Sequence, residues 1–490
     1  LKPVDGKTFS LTTGVDTITG TDANDLIIGV TSSLSSEKTL SPTDNIDGGA
    51  GSDTAKFSMK ADFTGFTGTN TMKNVETVEL TNDSTIARTF DATGVSGVEK
   101  YKIDATKADV KLKDLNAAGI TIDYSGAKAK EINVAFDTAF TALNGTADAM
   151  TLNVNGLGID EAAKTATKAA VALDALEVKM AGIEELTINS NTNASVLDLA
   201  GVTAAKTITL AGAADTKITA VAGTVTTVDG TTATGKLNLD LTAATALNNV
   251  ATGSADDIIK INAATLIANA QINGGAGEDT LVVTNASSAA KTLQLSMSDV
   301  EKVSVGALAA SNDVLLSNTN TSGLSTVDVT GALDAKLSLV NLAGSDMTVN
   351  GKAASATTGE VYLDNSGATT VNLSATAADV TDKKATTNDL KVTAANTASL
   401  VVNVGEYVDS SSVISAEKAT SVTVNVASGK DKTTPIPAEI TKFDGIINAA
   451  KAETITVNAT GIIAGTINAK TATSANITTT AATSSLNLNA

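Results

Sequence analysis

Asn74-Val75-Glu76-Thr77-Val78-Glu79-Leu80 joins a small phrase, Asn then an aliphatic then Glu, to a run in which apolar and polar residues alternate. The phrase returns at Gly97-Val98-Glu99, a step of 23 from Val75 to Val98, at Gly182-Ile183-Glu184 and, in weaker form, at Asp299-Val300-Glu301. Alternating runs fill the rest of the chain, among them Ile120-Thr121-Ile122, Leu186-Thr187-Ile188, Leu237-Asn238-Leu239, Val371-Asn372-Leu373 and Val422-Thr423-Val424-Asn425-Val426. Period-two alternation with β-branched residues marks short, half-buried strands. A coil of roughly twenty residues holding two or three such strands buries its inward aliphatics only by stacking on the next coil, which is the logic of a solenoid. The expected fold is therefore mainly β, an elongated parallel β-solenoid of about 22 residues per coil and on the order of 100 Å long at ~4.8 Å per coil. Outward Thr and Asn are expected to form ladders between coils. An array of antiparallel sandwiches shows similar strand spacing, but such domains are usually built on a Trp or Tyr core.

Composition supports the narrow interior. Over 490 residues aromatics make up 2%, with no Trp, 4 Tyr and 8 Phe, so a core organised around large rings is excluded. His and Cys are both absent, which removes Ser-His and Cys-His catalysis, zinc fingers, thiol chemistry and disulfides. Oxygen and ammonium remain: 53 Asp and Glu against 34 Lys and Arg, a net charge of −19. An acidic surface repels phosphate backbones, so nucleic acid is not an expected partner; such a face suits divalent cations, solubility in brine or at a cell surface, or no partner at all. The apolar residues are interrupted by Thr, Asn and Asp throughout, and no window reaches the ~18 unbroken apolar residues of a spanning helix. The chain opens on Leu1 and closes on Ser485-Leu486-Asn487-Leu488-Asn489-Ala490, which reads as a strand cut in mid-pattern, so a fragment or processed product is expected. One surface helix is expected over 160–175 and a loop interruption near 428–438, around Pro435 and Pro437.

The sequence carries two Gly-rich clusters. In the first, Asp16-Thr17-Ile18 and Asp25-Leu26-Ile27 stand nine residues apart, with Asp22 and Asn24 in the turn between them. The same step separates Asp44 from Asp53 in Asp44-Asn45-Ile46-Asp47-Gly48-Gly49-Ala50-Gly51-Ser52-Asp53. The second cluster runs from Gly253-Ser254-Ala255-Asp256-Asp257-Ile258 to Ile272-Asn273-Gly274-Gly275-Ala276-Gly277-Glu278-Asp279-Thr280. Calcium takes six to eight oxygens, and a tight Gly turn aims carbonyls inward while the Asp at its end adds a carboxylate. The glycines supply the positive φ that such a turn needs. The candidate ligands are Asp16, Asp22, Asn24, Asp25, Asp44 and Asp53 with Gly48, Gly49 and Gly51, and Asp257 and Asp279 with Gly274, Gly275 and Gly277. The step of 19 from Asp25 to Asp44 is close to two nonapeptides and is expected to bring those two turns to one edge of adjacent coils. A metal-free reading is also open, in which each Asp caps backbone amides. Ala270 stands where the nonapeptide register places Asp, and Ala55 where it places a larger aliphatic.

Gly48-Gly49-Ala50-Gly51-Ser52-Asp53 and Gly274-Gly275-Ala276-Gly277-Glu278-Asp279 resemble the nonapeptide of RTX-type calcium-binding proteins exported by type I secretion. The opening from Lys7 to Thr21, the Thr/Ala/Val-rich remainder and the lack of Cys and His look like surface-layer proteins of Gram-negative bacteria, particularly the campylobacter type. The resemblance implies calcium as cofactor, secretion to the cell surface, lateral self-assembly into a two-dimensional lattice, and anchorage to lipopolysaccharide through a region outside this chain. Four segments are expected: calcium-binding turns at 1–60, solenoid at 61–250, a second calcium-binding cluster at 251–285, and solenoid at 286–490. A break near residue 250 and one continuous rod both fit. A calcium-stabilised adhesin on the same scaffold is the alternative, although Trp, Tyr and Arg, the usual binding hot spots, are nearly missing. A β-helical polysaccharide enzyme is not expected, because no carboxylate pair stands apart from the acidic background.

Overall fold

The computed structural model describes residues 6–117, 119–126, 128–137, 145–158, 175–265, 270–284, 291–306, 314–317, 323–332, 336–342, 346–353, 359–365, 367–375, 386–387, 390–405, 408–410, 413–427, 442–480 and 485–490. Apart from Ala175, the helix expected over 160–175 lies outside these residues, as does the loop at 428–438. The described residues form strands and turns without a helix, and every strand pair is parallel, as the solenoid reading requires. No helix among them is long and apolar enough to cross a membrane. The chain divides into two compact units, Leu1–Ala255 and Asp256–Ala490.

In Leu1–Ala255 the first coil is two nonapeptides, with strands Thr8–Ser10, Thr17–Thr19 and Leu26–Thr31; Thr8 lies in register with Leu26. The sheet begun by Thr8–Ser10 and Leu26–Thr31 continues through Thr54–Met59, Thr77–Asn82 and Lys100–Asp104. Facing it, Thr17–Thr19, Asn45–Asp47 and Met72–Lys73 make a narrow sheet. A broader one takes over at Arg88–Asp91 and continues through Val110–Leu115 and Glu131–Phe136. Side chains alternate along each strand, so Val78 and Leu80 point inward and are buried while Glu79 points out. Where the narrow sheet gives way, five rings fill the widening interior. Phe63 lies 5.1 Å from Phe66 and 5.2 Å from Phe90, and Phe90 lies 6.2 Å from Phe57 and 6.3 Å from Tyr101. Elsewhere among the described residues the core is mainly aliphatic, as the composition dictates, with Tyr124 and Phe443 as further buried rings.

Asp256–Ala490 repeats the plan. One sheet contains Ile258–Asn262, Thr280–Thr284, Lys302–Val305 and Thr326–Ala332, and later Ser399–Val404, Ser421–Val426, Thr454–Ala459 and Ser474–Thr479. Strands such as Lys336–Leu342, Gly359–Asn365 and Leu390–Ala394 form the opposing sheet. The coil step is 22 residues from Asn350 to Asn372 and again from Asn403 to Asn425, and 31 between Asn372 and Asn403. Bulges shift the pairing locally, as between Asp328 and Ala332 and between Leu339 and Leu342, but whole strands keep their phase, because slipping a strand by one residue would turn every inward aliphatic to solvent.

Candidate metal-binding corner

Both Gly-rich clusters sit at one kind of corner, where the chain turns into a strand. Asp53 immediately precedes strand Thr54–Met59, and Glu76 holds the same place one coil on, before Thr77–Asn82. The Gly-Gly-x-Gly-x-Asp turn and the small-aliphatic-Glu phrase, separate signals in the sequence, are therefore successive occupants of one column. The first residue of the phrase sits in the left-handed region at Asn74 (φ 52°), Gly97 (φ 86°) and Asp299 (φ 53°), and the aliphatic that follows is buried.

The column is a ladder in which each carboxylate reaches back to the coil before it. Asp25 Oδ1 accepts the Lys7 N–H at 2.6 Å, Asp53 Oδ1 that of Asp25 at 2.7 Å, and Glu76 Oε2 that of Asp53 at 2.6 Å. The second unit repeats it: Asp279 Oδ1 accepts the Asp257 N–H at 2.7 Å, and Glu301 Oε2 that of Asp279 at 2.7 Å. Asp25, Asp53, Asp257 and Asp279 are all buried. A shorter column holds Asp16 and Asp44, with the Asp16 N–H donating to Asp44 Oδ1 at 3.0 Å.

The expected adjacency of the Asp25 and Asp44 turns is corrected here. Asp16 stacks on Asp44 and Asp25 on Asp53, each across 28 residues rather than 19. The chain between Thr31 and Asn45 makes an excursion held by the Thr39 and Leu40 N–H groups on the Val30 carbonyl, so this coil is ten residues longer than the first. In the second cluster Ala270 takes the place of Asp44 and is buried, which leaves a single acidic column there.

The second oxygen of each carboxylate separates the candidates. Asp25 Oδ2 accepts the Thr21 N–H, and its Oδ1 also accepts the Thr21 hydroxyl. Burial opposes ionisation of Asp25, but the Thr21 and Lys7 hydrogen bonds outweigh it and hold the carboxyl below its ordinary range. Asp16 is similarly served by the Thr12 N–H and hydroxyl, and Asp44 by the Ser41 N–H at 2.7 Å. Asp53 Oδ2 and Asp279 Oδ2 are buried without a hydrogen-bond partner, as is Asp148 Oδ2 outside the two Gly-rich clusters.

The glycines account for this difference. After Gly20 comes Thr21, whose N–H points at the Asp four residues on. After Gly48 comes Gly49 at φ 96°, and its N–H turns instead to Asp47 Oδ1 at 3.2 Å. Gly275, at φ 90°, likewise donates to Asn273 Oδ1 at 2.9 Å. The double glycine thus strips the following Asp of its local donor. Beside Gly48, a Cβ would lie 1.8 Å from the Asn74 carbonyl oxygen and 2.7 Å from Asp53 Oδ2; beside Gly274 the figures are 1.8 Å to the Asp299 oxygen and 2.7 Å to Asp279 Oδ2. A carboxylate oxygen and a main-chain carbonyl oxygen crowd each of these glycines, as they do Gly20, where a Cβ would lie 1.7 Å from the Gly48 oxygen and 2.8 Å from Asp25 Oδ2, so the missing N–H donor sets Asp53 and Asp279 apart.

Electrostatics follow from this geometry. Burial pushes the Asp53 carboxyl up, and the nearby charges of Glu76 and Asp25 add to the effect. Burial likewise lifts Asp279 to about 7, with Asp257 and Glu301 contributing. An unpartnered buried carboxylate must take a proton or a cation. The donors are all oxygen, which suits a hard ion such as calcium. No group of three or more acidic side chains converges as metal ligands would among the described residues, so an ion here would draw mainly on carbonyls and single carboxylates.

Of the other candidates, Asp22 is exposed and takes no part in the ladder. Asn24 is exposed, its Oδ1 accepting the Ser52 N–H at 2.9 Å. Gly51 and Gly277 share φ 127°. Glu76 and Glu301 are column members that the candidate ligand set omits, and the available signal is their spacing, 23 and 22 residues after Asp53 and Asp279. Set against known proteins, the chain matches no protein-family model and no curated protein sequence.

Proposed function

We propose that this chain is a structural subunit of a secreted, calcium-dependent bacterial surface layer, in which copies associate laterally into a two-dimensional lattice. The observation that carries the reading is that, of three buried carboxylate oxygens without a partner among the described residues, Asp53 Oδ2, Asp148 Oδ2 and Asp279 Oδ2, two end a Gly-Gly-x-Gly-x-Asp turn at the same corner of two separate units. Calcium held there would neutralise carboxylates that the fold buries at a cost, so metal binding and coil stacking become one equilibrium. Ordered assembly would then wait for the calcium-rich exterior, in keeping with type I export of an unfolded chain. Lipopolysaccharide anchorage belongs, in this reading, to a region outside these residues. Asp16, Asp25 and Asp44 already hold protein donors, so their part is structural and the calcium sites narrow to Asp53 and Asp279.

Calcium titration of the full chain tests this. Calcium should raise the melting temperature by several degrees and produce ordered sheets in negative-stain micrographs. Asp53→Asn and Asp279→Asn should each remove part of the bound calcium. If a chelator leaves circular dichroism, melting temperature and particle size unchanged, the reading is wrong.

A further inference from the structure

In Asp256–Ala490, five successive strands of one sheet carry no ionisable residue: Ala368–Ala375 (ATTVNLSA), Ser399–Val404 (SLVVNV), Ser421–Val426 (SVTVNV), Thr454–Ala459 (TITVNA) and Ser474–Thr479 (SANITT). On a chain of net charge −19 this is a place where a like-charged body can approach with little repulsion. Among the described residues, charge near it is confined to its edges: Asp346, whose Oδ1 accepts the Ala368 N–H at 3.0 Å, Lys352 in the adjoining strand Met347–Ala353, and Glu417, Lys418, Lys451 and Glu453 in turns. Down its centre runs an amide ladder, Asn372, Asn403, Asn425 and Asn458, in which each Nδ2 donates to the Oδ1 of the coil before at 2.7–3.0 Å. Each of these bonds uses one N–H of an amide and one lone pair of the next, leaving a second donor and a second acceptor for a partner. Beside the ladder lies an open groove of about 380 Å³ floored by Gly405 and Ala427 and flanked by Asn425 and Thr460.

We infer that this Asn/Thr face is a self-association surface that packs against the same face of a second copy. The occupant follows from the chemistry. A charge-free array of amides and hydroxyls, regular at one coil spacing, offers donors and acceptors in equal number, and the surface that repeats that spacing and balance is its own duplicate. At ~4.8 Å per strand the five strands present roughly 20 Å by 15 Å, about 300 Å² a side. A stable dimer needs ~800 Å² per partner. The contact is therefore weak singly and becomes effective when many copies are arrayed. The inference rests on the lattice reading above for its biological setting, but its physical test does not require calcium.

The test is sedimentation velocity of the full 490-residue chain over a wide concentration range, with chelator and with calcium. Thr423 is outward on the face and outside the amide ladder, so Thr423→Glu and Thr423→Lys add charge without breaking a rung. Wild type should show a sedimentation coefficient rising with concentration. Each variant should need at least ten-fold higher concentration for the same rise, with melting temperature within about 1 °C of wild type. An equimolar mixture of the two variants should recover association, whereas Thr187→Glu, outward in the other unit, should behave as wild type. Wild type that stays monomeric throughout, variants that associate as wild type does, a mixture that recovers nothing, or a face that binds neutral dextran instead would each overturn the inference. If calcium-dependent sheets still form from Thr423→Glu, this inference fails and the surface-layer reading stands. If the face associates but calcium has no effect, the reverse holds.

Discussion

In Leu1–Ala255 the outward column of one sheet runs Lys56, Glu79, Lys102, with Glu79 held at 3.8 Å by Lys56 and 3.0 Å by Lys102. On the opposing sheet, Lys111 and Lys179 grip Glu131 at 2.9 and 2.8 Å. In Asp256–Ala490 the equivalent column runs Asp328, Asn350, Asn372, Asn403, Asn425, Asn458, an amide ladder begun by a carboxylate. Charge alternation lets each coil attract the next, but water and salt screen it, and exposed pairs are worth only ~0.2–1 kcal/mol. Amide rungs are insensitive to salt, and each is worth about 1 kcal/mol. The amide ladder is also directional. Every Asn donates backward, so its first member needs only to accept, and Asp328 does so while Lys302 binds its other oxygen at 2.6 Å. The first unit shows the junction of both devices at Asp123, which takes Lys100 at 3.5 Å and the Asn153 amide, with Asn189 following at 2.7 Å.

The largest expected effect probes what the two units share. Gly48→Ala and Gly274→Ala each drive a Cβ into a backbone oxygen at 1.8 Å, and each should destabilise its own unit by about 3 kcal/mol in urea melts. Gly223→Ala meets only ordinary contacts, the nearest at 3.5 Å, and should be neutral within about 0.5 kcal/mol. Equal stability of Gly48→Ala and wild type would remove the close-packed corner from the account.

Next, Asn403→Leu deletes two rungs and should cost about 2 kcal/mol, measured as loss of amide-exchange protection in Asp256–Ala490 alone. Lys102→Leu, in the charged column, should cost about 0.5 kcal/mol. Similar losses in the two would erase the distinction between the ladders.

Acid should separate the buried corner carboxylates from the lysine-paired ones by sign when calcium is chelated. Asp279 titrates higher in the folded protein, about 7, than the ~3.9 of an unfolded chain. Its contribution is thus fully present below pH ~4 and lost as pH rises through 7. Glu131 is held down to about 2, chiefly by Lys179, against ~4.3 unfolded. Its contribution is present above pH ~4 and lost as pH falls toward 2. Exchange protection resolved by segment should therefore rise around Asp279 between pH 7 and 4, and fall around Glu131 below pH 4. The smallest effect is that of salt: 0.5 M NaCl should weaken the Lys56–Glu79–Lys102 column by a few tenths of a kcal/mol and leave the amide ladder unchanged.

Much of this was legible in the residues. Alternation at Val75–Leu80 or Val422–Val426 announces a strand with one buried face, because the pleat sends successive side chains to opposite sides. The coil length of about 22 and the amide ladder follow from repeats of one residue type at one phase. The positive φ of Gly49, Gly51, Gly275 and Gly277 was readable from the motif alone, since other residues resist that geometry. The stacking of Asp25 on Asp53 was not readable, because the Thr31–Asn45 excursion adds residues to the turn without changing register. Nor was the membership of Glu76 and Glu301, which replace Asp by a longer side chain on the same column.

Local pattern, then, set the strands, the turns and the light core, since these depend on backbone sterics and on which face of a strand is apolar. Only stacking decided which acids meet, because coil length is free to vary in the turns. Stacking also decided that Asp25 finds the Thr21 N–H while Asp53 and Asp279 keep a buried oxygen unpartnered, since that depends on where a neighbouring N–H points once the coils are closed.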